Sequence, residues 1–128
     1  MIFKILAFTI GTYCYQNPPP KPYTEYTARV TYYWNDPKTA TGNKPVCGYT
    51  IAVDPSIIPY NSKVTIPHLN QNFIAHDTGP AVVNRTASKK LGKNNIVIDI
   101  YCKDRKVAQQ RIKKNPMFMK IRVYSKNK

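Results

Sequence analysis

The segment "NNIVIDIYCKD", residues 94–104, is the run of sequence that decides the fold. Its β-branched and aromatic residues, bounded on both sides by Lys, Asn and Asp, predict a strand. Side chains alternate across a strand, so one face is apolar and is assigned to the core. The residues of that face are Ile96, Ile98, Ile100 and Cys102. Asp99 lies on the other face with Val97 and Tyr101, where a carboxylate is either solvated, the commoner case, or part of a site.

The composition limits the classes of function. The chain has 128 residues, enough for one domain with one modest core. Its 20 Lys and Arg against 6 Asp and Glu give a formal net charge of +14. That charge favours an anionic partner, such as nucleic acid, an acidic membrane surface or an acidic wall polymer, although a solvated basic helix and tail would produce it too. No stretch approaches the roughly 18–20 apolar residues of a transmembrane helix.

The beginning of the chain is interpreted as an export signal followed by a linker. Residues 1–14 have one early Lys, an apolar run and small residues near its end, which is typical of a signal peptide, with an apolar first strand as the alternative. Residues 15–26 contain "NPPPKP" and are assigned to an extended linker. The folded domain is expected over residues 27–124, followed by a basic tail at 125–128. We therefore expect the protein to be secreted, periplasmic or cell-wall associated.

Short apolar runs separated by turn residues predict further strands. They are "TARVTYYW" (27–34), "YTIAVD" (49–54), "SKVTIP" (62–67), "NFIAHD" (72–77), "AVVN" (81–84) and "MFMKIRVYS" (117–125). In the last of these, the residues assigned to the inward face are Met117, Met119, Ile121 and Val123. One short helix is predicted over 104–114, with Asp104 as its N-cap and with Ala108 and Ile112 one turn apart. Strands at this spacing favour a small β-barrel.

Three of the acidic residues lie within or at the end of apolar strands. Asp54 and Asp77 each end a strand, and Asp99 lies inside a third. The remaining acids flank the first strand or cap the helix: Glu25, Asp36 and Asp104. If three carboxyl groups converge, mutual repulsion and apolar neighbours raise the pKa of at least one of them. A carboxyl group with a raised pKa can act as a general acid near neutral pH.

The segments around these aspartates resemble the signature of the 3D domain family, which is named for three aspartates and is related to the catalytic barrel of membrane-bound lytic transglycosylase A. The segments are "IAVDPSIIPYNSKVTI" (51–66), "AHDTGPAV" (75–82) and "VIDIY" (97–101). The resemblance covers roughly residues 27–124. It implies an all-β fold, namely a six-stranded double-psi β-barrel, with a groove for a glycan strand.

The resemblance also implies roles for individual residues. Asp99 would be the general acid/base and Asp77 would tune it, while Asp54 would hold a psi loop and Thr78 and Gly79 would support the site. Ordinary glycosidases need two carboxyl groups. A lytic transglycosylase manages with one, because the muramyl 6-hydroxyl attacks its own anomeric carbon. We therefore predict a peptidoglycan lytic transglycosylase that leaves a 1,6-anhydro product.

The sequence departs from the family pattern at three points. Pro80 stands in place of a second glycine, and "VNRTASKKLGKNN" (83–95) lengthens the link between the second and third aspartates, which affects the groove wall. Asn61 stands where the family turn usually carries glycine, and Asn tolerates the left-handed conformation best after Gly. The transglycosylases also carry a second domain beside the cleft, so we expect a more open groove and weaker activity here.

Other candidate residues have less specific patterns. Tyr33 and Tyr101 are candidates for stacking on sugar rings, although aromatic residues in a small core are the commoner case. Cys47 and Cys102 are candidates for a disulfide in an exported protein, with two small buried thiols as the alternative. The two histidines, His68 and His76, lack a paired cysteine motif, so we expect no metal and no cofactor.

Two other classes of function remain open at this point. One is a module with the same barrel, expansin-like, that binds glycan or peptidoglycan without cleaving it. The other is a nucleic-acid binder that uses the positive charge and exposed tyrosines. Three aspartates in one groove argue against the second class, because carboxylates repel phosphate. The expected partner is peptidoglycan or another acidic cell-wall glycan, bound by a monomer.

Overall fold

The computed structural model of the chain describes residues 21–124. The predicted signal peptide (1–14), the first half of the predicted linker (15–20) and the basic tail (125–128) lie outside the described residues. The first strand begins at Tyr23, four residues before the predicted start of the domain at residue 27. Residues 23–26, which the sequence pattern assigns to the linker, therefore belong to the folded domain.

Six strands form the body of the molecule. They are β1 (Tyr23–Tyr33), β2 (Thr50–Ala52), β3 (Lys63–Ile66), β4 (Gln71–Asp77), β5 (Ile96–Tyr101) and β6 (Phe118–Tyr124). They close into a barrel in the order β1-β5-β2-β4-β3-β6. The pairs β1–β5 and β2–β4 are parallel and the other pairs are antiparallel. Because parallel neighbours need crossover connections, this closed barrel is consistent with the predicted double-psi β-barrel, and the all-β class is confirmed.

The barrel interior is filled by aliphatic side chains together with one phenylalanine. Its most buried large members are Phe73, Ile51, Ile58, Ile66, Ile98, Ile121, Val53 and Val64. Burying one such side chain stabilises the fold by roughly 1.5–3 kcal/mol. The predicted core face of β5 is confirmed, since Ile98 and Ile100 belong to this core and Cys102 is buried, while Ile96 packs against the core at its edge.

The predicted strand "AVVN" is wrong, because its first three residues lie in a helix, and the described residues contain two short helices besides the one predicted. The structure has α1 (Pro80–Val83), α2 (Thr86–Lys89) and α3 (Arg105–Lys114) within residues 21–124, with a 3₁₀ turn at Pro67–Leu69. Pro80 occupies the first position of α1, where its fixed φ suits a helix and its missing N–H costs nothing. The helix is held by backbone hydrogen bonds from Val83 N to Gly79 O (3.1 Å) and from Asn84 N to Pro80 O (2.8 Å).

The helix α3 is confirmed, including its cap, because the Asp104 side chain accepts a 2.9 Å hydrogen bond from Val107 N. Its Ala108 is fully buried against the barrel. The predicted inward position of Met117 is wrong, since it is 55% exposed, and Ile112, one turn after Ala108, is 59% exposed. Residues 109–114 are all exposed, so only the first half of α3 packs, and Met117 precedes the first residue of β6.

A second, smaller apolar cluster covers the outer face of the barrel. Val82 of α1 packs there with Ala52 of β2 and Val97 of β5, and the ring of Tyr33 lies against them. Val97 lies on the same face of β5 as Asp99, so this cluster places apolar side chains beside the third aspartate. The two short helices thus form a wall beside the third aspartate.

Within the described range, no helix has the length and apolar character required to cross a membrane.

Candidate active site

The barrel brings Asp77 and Asp99 to the two sides of one short strand. Ala52 of β2 pairs with Asp99 of β5 and also with Asp77 of β4. Neighbouring strands lie about 4.8 Å apart, so the two backbones are separated by roughly 10 Å and their side chains can converge over β2. Both aspartates line a pocket of about 160 Å³, which we call the acidic pocket. Its residues are Tyr33, Asp36, Ala52, Asp77, Thr78, Gly79, Ala81, Val82 and Asp99.

Asp99 is a partly buried carboxyl group with a raised pKa. Burial raises its pKa to about 6, and the charge of Asp77 acts in the same direction. A hydrogen bond from Thr31 Oγ1 to Asp99 Oδ1 (3.0 Å) opposes the shift because it stabilises the charged form. Thr31 faces Asp99 across the parallel β1–β5 pair. Near pH 6, Asp99 is therefore protonated part of the time, as a proton donor requires.

Asp77 is fixed in place by hydrogen bonds to both of its oxygens. Ala40 N and Thr78 N each donate to Oδ1 at 2.9 Å, and the Tyr33 hydroxyl donates to Oδ2 at 2.9 Å. The residue is only 4% exposed. These contacts tie three segments of chain together at the mouth of the barrel. They hold a negative charge beside Asp99.

Asp36 is a third member of the acidic pocket that the sequence analysis did not select. Burial and the nearby carboxyl group of Asp77 both raise its pKa, with burial as the larger cause. The available signal was its place shortly after β1, as Asp54 shortly follows β2, but the sequence pattern indicated only that Asp36 flanks the first strand.

Thr31 was also missed, because a threonine on the outer face of a strand is an ordinary β residue. Only the parallel register of β1 with β5 places it beside Asp99. Sequence patterns do not reveal the register of strands that are far apart in the chain, and Thr31 and Asp99 are separated by 68 residues.

The two candidate sugar-stacking tyrosines lie in different surroundings. Tyr33 lines the acidic pocket, and burial together with its hydrogen bond to Asp77 raises the pKa of its phenol. Its ring meets that of Tyr101 edge-on, with the centroids 5.3 Å apart. Tyr101 lines a separate cavity of about 260 Å³. Tyr33 thus holds the carboxyl group of Asp77, and Tyr101 packs against the ring of Tyr33. The sugar-stacking role of both tyrosines stays a prediction.

Asp54 lies outside the acidic pocket and organises a loop. Its Oδ1 accepts hydrogen bonds from Ser56 N (3.0 Å) and Ser56 Oγ (2.7 Å), and its backbone carbonyl accepts from Ile58 N at 2.9 Å. Further along this loop, Asn61 has φ 67°, the left-handed conformation that the sequence predicted. Asn61 N then donates to Ala75 O at 2.9 Å, which anchors the loop to β4.

Replacing Asp54 with Ala is expected to lower stability by about 1–2 kcal/mol, the usual cost of losing a side-chain cap. The folded protein should retain its activity, because no atom of Asp54 lines the pocket. Thermal unfolding measures the first effect, and an activity assay measures the second. Asp104→Ala is the matched control, since it removes the cap of α3 at a comparable cost. A large loss of activity at unchanged stability in Asp54→Ala would contradict this assignment.

Cys47 and Cys102 line the same cavity as Tyr101 and are free thiols in the structure. Cys47 is exposed and Cys102 is buried, and burial raises the pKa of Cys102 to about 11. The disulfide between them stays a prediction for the exported protein. Thiol titration of the denatured, non-reduced chain tests it. With Cys14 present, one of the three cysteines should react if the bridge has formed and all three if it has not; after removal of residues 1–14, the corresponding numbers are none and two.

A second depression, which we call the basic cleft, meets the acidic pocket at Asp99. It has a volume of about 440 Å³ and contains Arg29, Thr31 and Lys90 among its lining residues, with a wall formed by α2. Asp99 and Ala81 line both depressions. Pro80 therefore does not close the groove, because it starts the helix that forms part of the wall. Gly79, directly before it, has open space where a side chain would begin.

The chemistry available at this site is proton transfer by a carboxyl group. Among residues 21–124, no cluster of three or more His, Cys, Asp or Glu side chains has the geometry to hold a metal ion. His76 lies away from Asp77, with its ring edge-on to that of Tyr49 at 6.3 Å. The other polar groups of the pocket position Asp77 and Asp99.

Comparison with known families identifies the region that carries the site. The family model described as the 3D domain matches residues 49–120. The match contains Asp54, Asp77 and Asp99 and confirms the resemblance seen in the sequence. No curated protein gives a significant match. The residues of β1 and its following loop that complete the site, Thr31, Tyr33 and Asp36, lie before the matched region.

Proposed function

The chain belongs to the 3D domain family, and on this premise we propose that it cleaves peptidoglycan strands as a lytic transglycosylase, with Asp99 as the single general acid/base. The observation that carries the proposal is the state of Asp99. It lies where the acidic pocket meets the basic cleft, and its pKa is raised to about 6. A carboxyl group in that state can give up a proton and take one back near neutral pH.

The reaction proceeds in two proton transfers through one carboxyl group. Protonated Asp99 donates its proton to the glycosidic oxygen, and the bond between that oxygen and the anomeric carbon of the muramyl residue breaks. The resulting carboxylate then accepts the proton of the muramyl 6-hydroxyl as that oxygen bonds to the anomeric carbon. The 1,6-anhydro ring forms, Asp99 is protonated again, and no water is consumed. The nucleophile belongs to the substrate, so proximity replaces a second carboxylate.

The neighbours of Asp99 set its proton affinity and its position. Asp77 raises the pKa through its charge, and Thr31 lowers it through the hydrogen bond to Oδ1. Hydrogen bonds from Tyr33, Ala40 and Thr78 hold the Asp77 carboxyl group in a fixed position beside Asp99. Asp77 therefore acts as a positioning and tuning residue.

This function requires the protein to reach the cell wall, so we propose that it is secreted, periplasmic or wall-associated and works as a monomer on peptidoglycan. The net charge of +14 supports this partner, because it attracts the chain to an anionic polymer.

Turbidity of a peptidoglycan suspension tests the proposal against the non-catalytic alternative. An enzyme should lower the turbidity and release soluble fragments. A binding module should sediment with the polymer and leave the turbidity unchanged. Binding without release of fragments would reject the enzyme assignment.

A further inference from the structure

Two cations line the basic cleft beside Asp99. Arg29 projects from β1, and Lys90 follows the last residue of α2. The cleft volume of about 440 Å³ lies within the range of roughly 300–1,000 Å³ that small-ligand sites occupy. The acidic pocket on the other side of Asp99 holds Asp36 and Asp77. The groove is thus acidic on one side of Asp99 and basic on the other.

These cations have no acidic partner in the described part of the chain. The salt bridges found there join Glu25 to Lys120 (3.7 Å) and to Arg122 (3.5 Å). In Arg29, the Nε and one terminal nitrogen are buried without a hydrogen-bond partner among residues 21–124. Its guanidinium lies over the ring of Phe118, 5.8 Å from the centroid. Buried donors that lack a partner are costly, so an anion that accepts from them would be bound favourably.

The register of β1 and β5 places Arg29 two positions along β1 from the residue opposite Asp99. Arg29 pairs with Val97 and Thr31 pairs with Asp99, so Arg29 lies two positions along the same face of β1 from the residue that contacts Asp99. Two positions along a strand are roughly 7 Å. That is the scale of one sugar residue, so a group carried by the sugar at Asp99 can reach Arg29.

We propose that Arg29 and Lys90 bind a carboxylate carried by the muramyl residue whose glycosidic bond is cleaved. This inference rests on the proposed function. The guanidinium of Arg29 offers parallel N–H donors to the two oxygens of a carboxylate, and Lys90 adds a point charge. Asp36 and Asp77 repel the same carboxylate, so the muramyl residue is bound on the basic side of Asp99 and the strand is oriented.

The carboxylate has two possible sources in peptidoglycan. In strands without peptides it is the lactyl carboxylate of muramic acid itself. In peptide-bearing strands the lactyl group is an amide, and the carboxylates belong to the stem peptide. Neutral chitin oligosaccharides of equal length carry neither and serve as the reference ligand.

Binding to Asp99→Asn protein tests the proposal without turnover. Calorimetry should show that peptide-free or peptide-bearing muramyl oligomers bind at least about tenfold more tightly than chitin oligomers, as a charge-assisted hydrogen bond provides. Adding Arg29→Gln should remove most of that preference, and adding Lys90→Gln should reduce it about threefold. The preference should also weaken with salt. Lys89→Gln is the matched control, since Lys89 neighbours Lys90 outside the cleft and its loss should leave the preference unchanged.

The pattern of losses distinguishes the two carboxylate sources from each other and from the absence of a site. If the variants lose the preference for peptide-free strands over chitin, the bound group is the lactyl carboxylate. If they lose the preference for peptide-bearing strands, it belongs to the stem peptide. Either result supports the proposal. The proposal is overturned if the variants bind the chitin oligomer more weakly by the same factor, or if the preference survives in the Arg29→Gln, Lys90→Gln double variant. Because Arg29 packs on Phe118, the Lys90→Gln protein provides the test if Arg29→Gln fails to fold. Failure of wild-type protein to cleave peptidoglycan, with this binding pattern present, rejects the proposed function and supports the carboxylate site.

Discussion

Replacing Asp99 with Asn is expected to lower the rate of glycan cleavage by about 10²–10⁴-fold, the usual contribution of general acid catalysis. Asn keeps the shape of the side chain and can still accept the hydrogen bond from Thr31, but it has no acidic proton to transfer to the glycosidic oxygen. Asp77→Asn should lower the rate less than Asp99→Asn does, because Asp77 tunes the pKa of the acid and does not transfer the proton. Initial rates of fragment release for the three proteins measure both effects.

The fold of the Asp99→Asn protein can be checked by its stability, which has a defined pH dependence. The pKa of Asp99 is raised from 3.8 to about 6 in the folded state. Between these values the folded protein holds the proton more tightly than the unfolded chain, so this group makes stability fall as pH rises through the window. Asp99→Asn should therefore melt at or above the wild-type temperature at pH 7, with a smaller difference at pH 4. A protein that is stable and cleaves at the full rate would reject Asp99 as the acid.

The rate of cleavage should fall about tenfold for each pH unit above the pKa of Asp99. The acid must start protonated, and its protonated fraction decreases by that factor once the pH exceeds about 6. At pH 8 the rate should be roughly a hundredfold below its acidic plateau. This decrease, the alkaline limb of the pH–rate profile, should appear in kcat/KM, which reports the pKa of the free enzyme.

Two substitutions should move this limb in opposite directions. Asp77→Asn removes a charge that raises the pKa of Asp99, so the limb should shift to lower pH. Thr31→Val removes a hydrogen bond that lowers the same pKa, so the limb should shift to higher pH. A merely structural role for either residue would lower the rate without moving the limb. If the limb moves in the same direction in both variants, or does not move, the tuning roles are contradicted.

Local patterns in the sequence were sufficient to predict the faces of the strands and a small β-barrel, whereas the double-psi topology and the role of Asp99 came from the resemblance to the 3D domain family. Period-two alternation in β5 separates Ile98 and Ile100 from Asp99, and the structure places the first two in the core and the third outside it. Asn61 adopts the left-handed conformation that its place in the turn required. Such features depend on local chemistry, which a single sequence contains.

The rest of the site depends on contacts that are distant in sequence. Asp36 and Asp77 line one pocket although they are distant in the sequence, and Thr31 meets Asp99 only through the β1–β5 register. The short apolar run after Pro80 was predicted as a strand because Val and Ala suit a buried strand as well as a helix. Proline at the first position and tertiary packing of Val82 made it a helix.

Mass spectrometry of the glycan ends tests the central claim most directly. Wild-type protein incubated with peptidoglycan should release fragments that end in 1,6-anhydro muramic acid, lighter by one water than the hydrolysed form, because the attacking oxygen belongs to the sugar. Asp99→Asn protein under the same conditions should release few or none. Reducing ends would mean attack by water, which requires a second catalytic carboxylate, and would contradict the single-acid mechanism centred on Asp99.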